Sequence, residues 1–218
     1  MRPLKTLLLL LALLALDCPA QDAPAYQLGR DYEFVNRQAP VTDPKRIQVE
    51  EFFLYACPHC FAHEPPLRQW LQHKPADVDF IPVANSLGRR DGEVQERAYY
   101  IAVTLGITGK THQAMFEAIH VLHKPLNTLE SIRDFYVASA GIKPADFDGL
   151  ANSFVVNAAV QRAEDLATAY GITETPSFVA GGRYRVRARA NPADTFAVLD
   201  YVIARLRQER GLPPPRKR

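Results

Sequence analysis

The chain has 218 residues, of which 47% are hydrophobic and 23% charged, with a formal net charge of +2. That composition suits one domain with an insertion, or two small ones, and excludes a disordered chain. The charges nearly balance and no long basic run precedes the last residues, so a nucleic-acid role has no electrostatic footprint.

In chain order, Arg2 and Lys5 form a basic head, Leu7 to Leu16 an apolar block of ten, and Cys18-Pro19-Ala20 offers a small residue for cleavage after Ala20. This is the layout of a secretory signal peptide over residues 1–20. The block is too short to span ~30 Å of hydrocarbon, which disfavours a membrane anchor. Cys18 as a lipid-attachment site is the other alternative, disfavoured because Asp17 precedes it where a small residue is expected. Without residues 1–20 the chain keeps 24 basic and 23 acidic groups and two of its three cysteines. Export implies an oxidising compartment, and two cysteines are too few for a disulfide framework.

Residues 21–45 carry Pro24, Pro40 and Pro44 and read as an extended arm, with a short edge strand near Tyr32-Glu33-Phe34. Ile47 to Tyr55 becomes continuously apolar at its end, as a strand buried on both faces does. Val78 to Val83 is the next strand, where Pro82 favours a strand end or bulge. Between them a helix is expected from Pro58 to Gln72, with proline tolerated at its first position and a kink at Pro65 and Pro66. This βαβ unit predicts parallel strands.

From Asp91 to Gly171 the apolar period changes to 3.6, predicting helices near Glu93–Leu105, His112–His123, Leu129–Ala140, Pro144–Ala151 and Ser153–Tyr170. Ser177–Ala180, Gly181-Gly182 and Arg183–Val186 read as a β-hairpin. A last helix starts at Asn191-Pro192 and runs to Glu209, before a disordered basic tail.

Cys57-Pro58-His59-Cys60 falls where the apolar strand gives way to the helix. Thiol–disulfide exchange needs an accessible thiolate and a second thiol about one turn away to resolve the mixed disulfide. A helix start supplies both, because unpaired amides and the positive end of the dipole favour S⁻ at Cys57. His59 adds to this as a cation or hydrogen-bond donor. A disulfide closing so small a loop removes little chain entropy, so a structural bridge is a weak reading. Zinc held by Cys57, Cys60 and His63 would need a fourth ligand, which His112, His120 or His123 could supply only if the fold brought one close.

Glu51-Phe52-Phe53-Leu54-Tyr55-Ala56-Cys57-Pro58-His59-Cys60, followed by Glu64, resembles the active-site stretch of DsbA-type thiol:disulfide oxidoreductases. Gly171-Ile172-Thr173-Glu174-Thr175-Pro176 resembles that family's cis-proline loop, and the likeness runs from about Tyr32 to Leu206. The resemblance implies an α/β thioredoxin fold with an inserted all-helical domain. Residues 21–85 and 156–210 would form the thioredoxin-like part, 86–155 the insertion and 211–218 the tail. By the same likeness, Cys57 is the nucleophile, Cys60 its buried resolving partner and disulfide mate, Pro58 and His59 the intervening pair, and Pro176 the cis-proline behind Thr175. Glu51 and Glu64 match the family's acidic residues beneath the motif, although Glu51 also reads as a partly exposed strand-end charge.

The function implied is a monomeric periplasmic oxidase that passes the Cys57–Cys60 disulfide to newly exported, folding proteins. It would be reoxidised by a quinone-linked membrane partner, with no cofactor in the chain. A disulfide isomerase or reductase is the nearest alternative. The isomerases of the family carry an N-terminal dimerisation domain, for which residues 21–46 are too few. Thr175 in place of the usual valine leaves the balance between oxidation and isomerisation open. His63, where an aromatic is frequent, is expected to be a solvated helix residue.

Overall fold

The computed structural model describes residues 25–215, so the expected signal peptide, Cys18 and the last three residues lie outside it. The described residues form strands β1 (Glu33–Phe34), β2 (Ile47–Phe53), β3 (Val78–Ala84), β4 (Ser177–Ala180) and β5 (Tyr184–Arg187). The helices are α1 (Pro58–His73), α2 (Arg90–Thr104), α3 (Thr108–His120), α4 (Leu129–Ala140), α5 (Pro144–Ala151), α6 (Phe154–Tyr170) and α7 (Pro192–Glu209).

The strands make one sheet in the order β1-β5-β4-β2-β3. β2 runs parallel to β3 and antiparallel to β4. Its central place follows from its composition, since Ile47, Val49, Phe52 and Phe53 are all essentially inaccessible to solvent. β3 is the sheet edge, and this corrects the reading of Pro82. The proline lies inside the strand, opposite Glu51, where an edge tolerates a residue that cannot donate outward. α1 includes Pro65 and Pro66 within a single helical span.

Helices α2 to α6 are all inserted between β3 and β4. Their inner faces form one apolar cluster with Phe53, Leu54 and Tyr55 from the end of β2, and with both sulfurs of the motif. A second cluster joins Leu67 and Trp70 of α1 to β4, β5 and α7. A third packs α6 on the sheet through Phe52, Val83, Tyr170 and Val179. Gly171 ends α6 at φ +69°, and a Cβ there would lie 2.4 Å from the Asn36 side chain, so only glycine turns the chain here into the proline loop.

The N-terminal arm is anchored rather than free. Tyr26 packs edge-on against Tyr201 of α7, and Tyr32 is buried between Tyr184 and Tyr201. The tail too is fixed further than expected. Leu212 packs on the α7 cluster, and Arg207, paired with Asp77 at 2.6 Å, donates to the Pro213 carbonyl at 2.9 Å.

Candidate active site

Cys57 occupies the N-cap of α1 in extended backbone, φ −81° and ψ 115°, and Cys60 lies in the first turn. Pro58 at N1 needs no donor there, and its side chain and that of His59 are exposed. The two sulfurs differ in surroundings, Cys57 being 8% exposed and Cys60 1%. Both are free thiols here, the arrangement of the reduced pair.

The pair is electrostatically unequal. The Cys60 thiol, donating to the Cys57 sulfur, is the largest influence on Cys57 and lowers its pKa to about 5. The Thr175 side chain and the amides of Cys60 and His59 act the same way, against burial. Cys60 moves in the opposite direction: burial, then its bond to Cys57, raise it well above the ordinary thiol value. His59 therefore serves Cys57 through its amide, while its ring faces solvent. Across the cleft, Thr175 precedes Pro176 through a cis peptide bond, and its carbonyl lies 3.3 Å from Cys57 Sγ. Protonated Cys57 can donate to that carbonyl, but the donors around the sulfur outweigh this and hold the anion.

Glu51 is 1% exposed, which removes the reading of a strand-end charge. Burial, then the charge of Glu64, raise its carboxyl well above the usual range, and its own charge reaches Cys60. Glu64 is also buried, 3.5 Å from Arg68 and 3.4 Å from His112 Nε2. His112 Nδ1 meets the Tyr55 hydroxyl at 3.0 Å, and His120 Nε2 donates to the Tyr55 carbonyl at 2.7 Å. These two histidines thus brace the strand end that delivers Cys57. Among the described residues, no three His, Cys, Asp or Glu side chains group so as to hold a metal ion.

His63 is the clearest correction. It is buried, 3% exposed, with Nδ1 at 2.8 Å from the His59 carbonyl and Nε2 at 3.1 Å from Thr195 Oγ1. Burial pushes its pKa down. A signal existed: Cys60, His63, Glu64, Leu67 and Trp70 recur at helical spacing as the buried stripe of α1. A cleft of about 210 Å³ opens beside the motif, lined by His59, His63, Glu174, Thr175, Pro176 and Arg189 among others.

Residues 89–204 match the family model described as a DSBA-like thioredoxin domain. The chain is also 34% identical over 200 residues to the thiol:disulfide interchange protein DsbA of Pseudomonas aeruginosa, covering 91% of this chain and 94% of that relative. It belongs to the DsbA-like family. The Bordetella pertussis DsbA is 35% identical over 206 residues, covering 91% of this chain and 96% of its own. Among solved structures, P. aeruginosa DsbA has a TM-score of 0.78 at 34% identity, covering 85% of this chain and 97% of that one. The Xylella fastidiosa oxidoreductase DsbA has a TM-score of 0.77 at 32% identity, covering 84% and 98%. The DsbA-like thioredoxin fold accounts for the placement of the motif, at the junction of a central strand and the helix that follows it.

Proposed function

We propose that this DsbA-type thiol:disulfide oxidoreductase is an oxidase, donating a Cys57–Cys60 disulfide to folding proteins that carry free thiols. The observation that carries the reading is the inequality of the two sulfurs. A thiolate near pH 5 at Cys57 stabilises the reduced pair, which makes the bonded pair a strong acceptor of electrons.

A substrate thiolate attacks Cys57 Sγ and forms a mixed disulfide, while the Cys57–Cys60 bond breaks. The Cys60 sulfur leaves with the electron pair and, with its raised pKa, takes up a proton. A second substrate thiolate then attacks the substrate sulfur of the mixed disulfide and expels Cys57 as the favoured thiolate. Two electrons have passed from the substrate to the pair. The backbone of Thr175 beside Pro176 offers main-chain pairing to an extended substrate, a mode that reads little sequence.

The protein acts in the periplasm after removal of residues 1–20, and a quinone-linked membrane oxidase restores the disulfide. It works as a monomer, in keeping with an N-terminal arm packed on its own α7. Equilibration against a glutathione series tests the reading. A potential near −120 mV, the value of DsbA itself, is expected, whereas one near −270 mV would mark a reductant. A tight dimer that rearranges scrambled disulfides faster than it oxidises thiols would replace the oxidase by an isomerase.

A further inference from the structure

His63 lies off the chemistry yet touches both sides of the cleft. A carbonyl can only accept, so the 2.8 Å contact to the His59 oxygen puts the proton on Nδ1. Nε2 of the neutral ring then accepts from the Thr195 hydroxyl at 3.1 Å. Thr195 Oγ1 in turn accepts the Arg189 amide at 2.9 Å. The chain of bonds crosses three segments, from the exposed turn of the motif, through the first turn of α7, to the loop after β5. Thr195 is fully buried, and the Phe196 ring packs beside His63 at 6.4 Å between centroids. The ionisable groups facing His63 are His59 and Cys57 from the motif, Glu174 from the proline loop and Arg189 from the far wall.

We propose that His63 is a positioning residue for protein substrates, tying the His59 turn to the wall at Ala188, Arg189 and Ala190 so that the two sides of the cleft keep a fixed spacing around Thr175 and Pro176. The proposal rests on the oxidase reading and adds to it. Small thiols reach Cys57 without touching that wall, whereas the residues flanking a substrate cysteine lie along it. Loss of the tie therefore weakens the grip on an extended chain and leaves the sulfur chemistry intact.

His63→Phe keeps a ring against Phe196 and deletes both hydrogen bonds. Thr195→Val removes the middle link, and Thr195→Ser retains it. With the oxidised full chain, His63→Phe and Thr195→Val are each expected to raise KM for a cysteine-containing peptide about three- to tenfold, the range expected for one hydrogen bond. The rate with dithiothreitol and the Cys57 pKa should stay unchanged. The double variant should be no worse than the single ones, and Thr195→Ser should match the unmutated protein. Amide exchange at Arg189 should quicken in His63→Phe. Unchanged peptide KM and unchanged Arg189 exchange in a folded His63→Phe protein overturn the proposal, as does an equal loss with dithiothreitol and peptide. If the unmutated protein oxidises neither compound, the oxidase reading fails on its own, while the Arg189 exchange still decides whether the tie exists.

Discussion

His120 donates to the main-chain carbonyl of Tyr55 at 2.7 Å, two residues before Cys57. Its ring also stacks on Phe61, the residue after Cys60, with centroids 4.9 Å apart. One side chain of α3 therefore grips both flanks of the redox motif. His120→Ala leaves the Tyr55 carbonyl without this donor and opens a gap beside Phe61. A loss of about 1–3 kcal/mol is expected for the reduced protein. Urea unfolding of both proteins at one pH measures it, and a change within error would show that the contact contributes nothing.

The Cys57 thiolate makes the stability of the reduced form depend on pH. Its pKa is depressed to about 5 in the folded state, against about 8.5 in an unfolded chain. The stabilisation is therefore complete above the unfolded value and is lost as pH falls through the folded one. Between about pH 5 and 8.5 the stability of the reduced form, relative to the oxidised, should rise by up to about 1.4 kcal/mol per pH unit. Paired urea titrations at several pH values test this. Because the Cys60 thiol is the largest cause, Cys60→Ala should move the Cys57 titration upward, read as thiolate absorbance at 240 nm. An unmoved titration would place the cause in the Thr175 side chain and the backbone amides instead.

Glu50 and Glu51 are adjacent on β2, so they point to opposite faces of the sheet, and both are buried. Burial raises Glu50 to about 7, partly offset by its bonds to Tyr170 and Gln48, and raises Glu51 well above the carboxylate range. A carboxyl whose folded pKa is raised costs stability above its unfolded value and restores it as pH falls. The oxidised protein, which lacks the thiolate, should thus become more stable as pH drops from about 7 to about 4.5. Glu50→Gln should flatten that slope, and Glu51→Gln should stabilise the protein most at neutral pH. Thermal unfolding of the oxidised variants from pH 4.5 to 7 checks both. A slope that neither glutamine alters would assign the effect elsewhere.

Much of the frame was readable from residue order. The strand-to-helix junction at Cys57 followed from an apolar run meeting Pro58, and the ranges expected for α4 to α7 from the 3.6 period, Asn191-Pro192 and Gly171 lie within a residue of those found. What escaped depends on partners far along the chain. His63 looks like a surface residue until Thr195, 132 positions away, supplies its hydrogen bond. Pro82 reads as a strand ender until β3 is known to lie at the sheet edge, a fact set by the order of the other strands. Leu212 reads as part of a loose tail until Arg207, held by Asp77, is seen to carry the chain end back onto α7. The roles of Glu51 and His112 likewise needed the third dimension, because one comes from the sheet and the other from an inserted helix.

Both sulfurs belong to the apolar cluster shared with α2 to α6, while α7 and the β4–β5 hairpin pack in a separate one. A redox event at either sulfur thus falls on side chains that the inserted helices supply, apart from those that anchor the two ends of the chain.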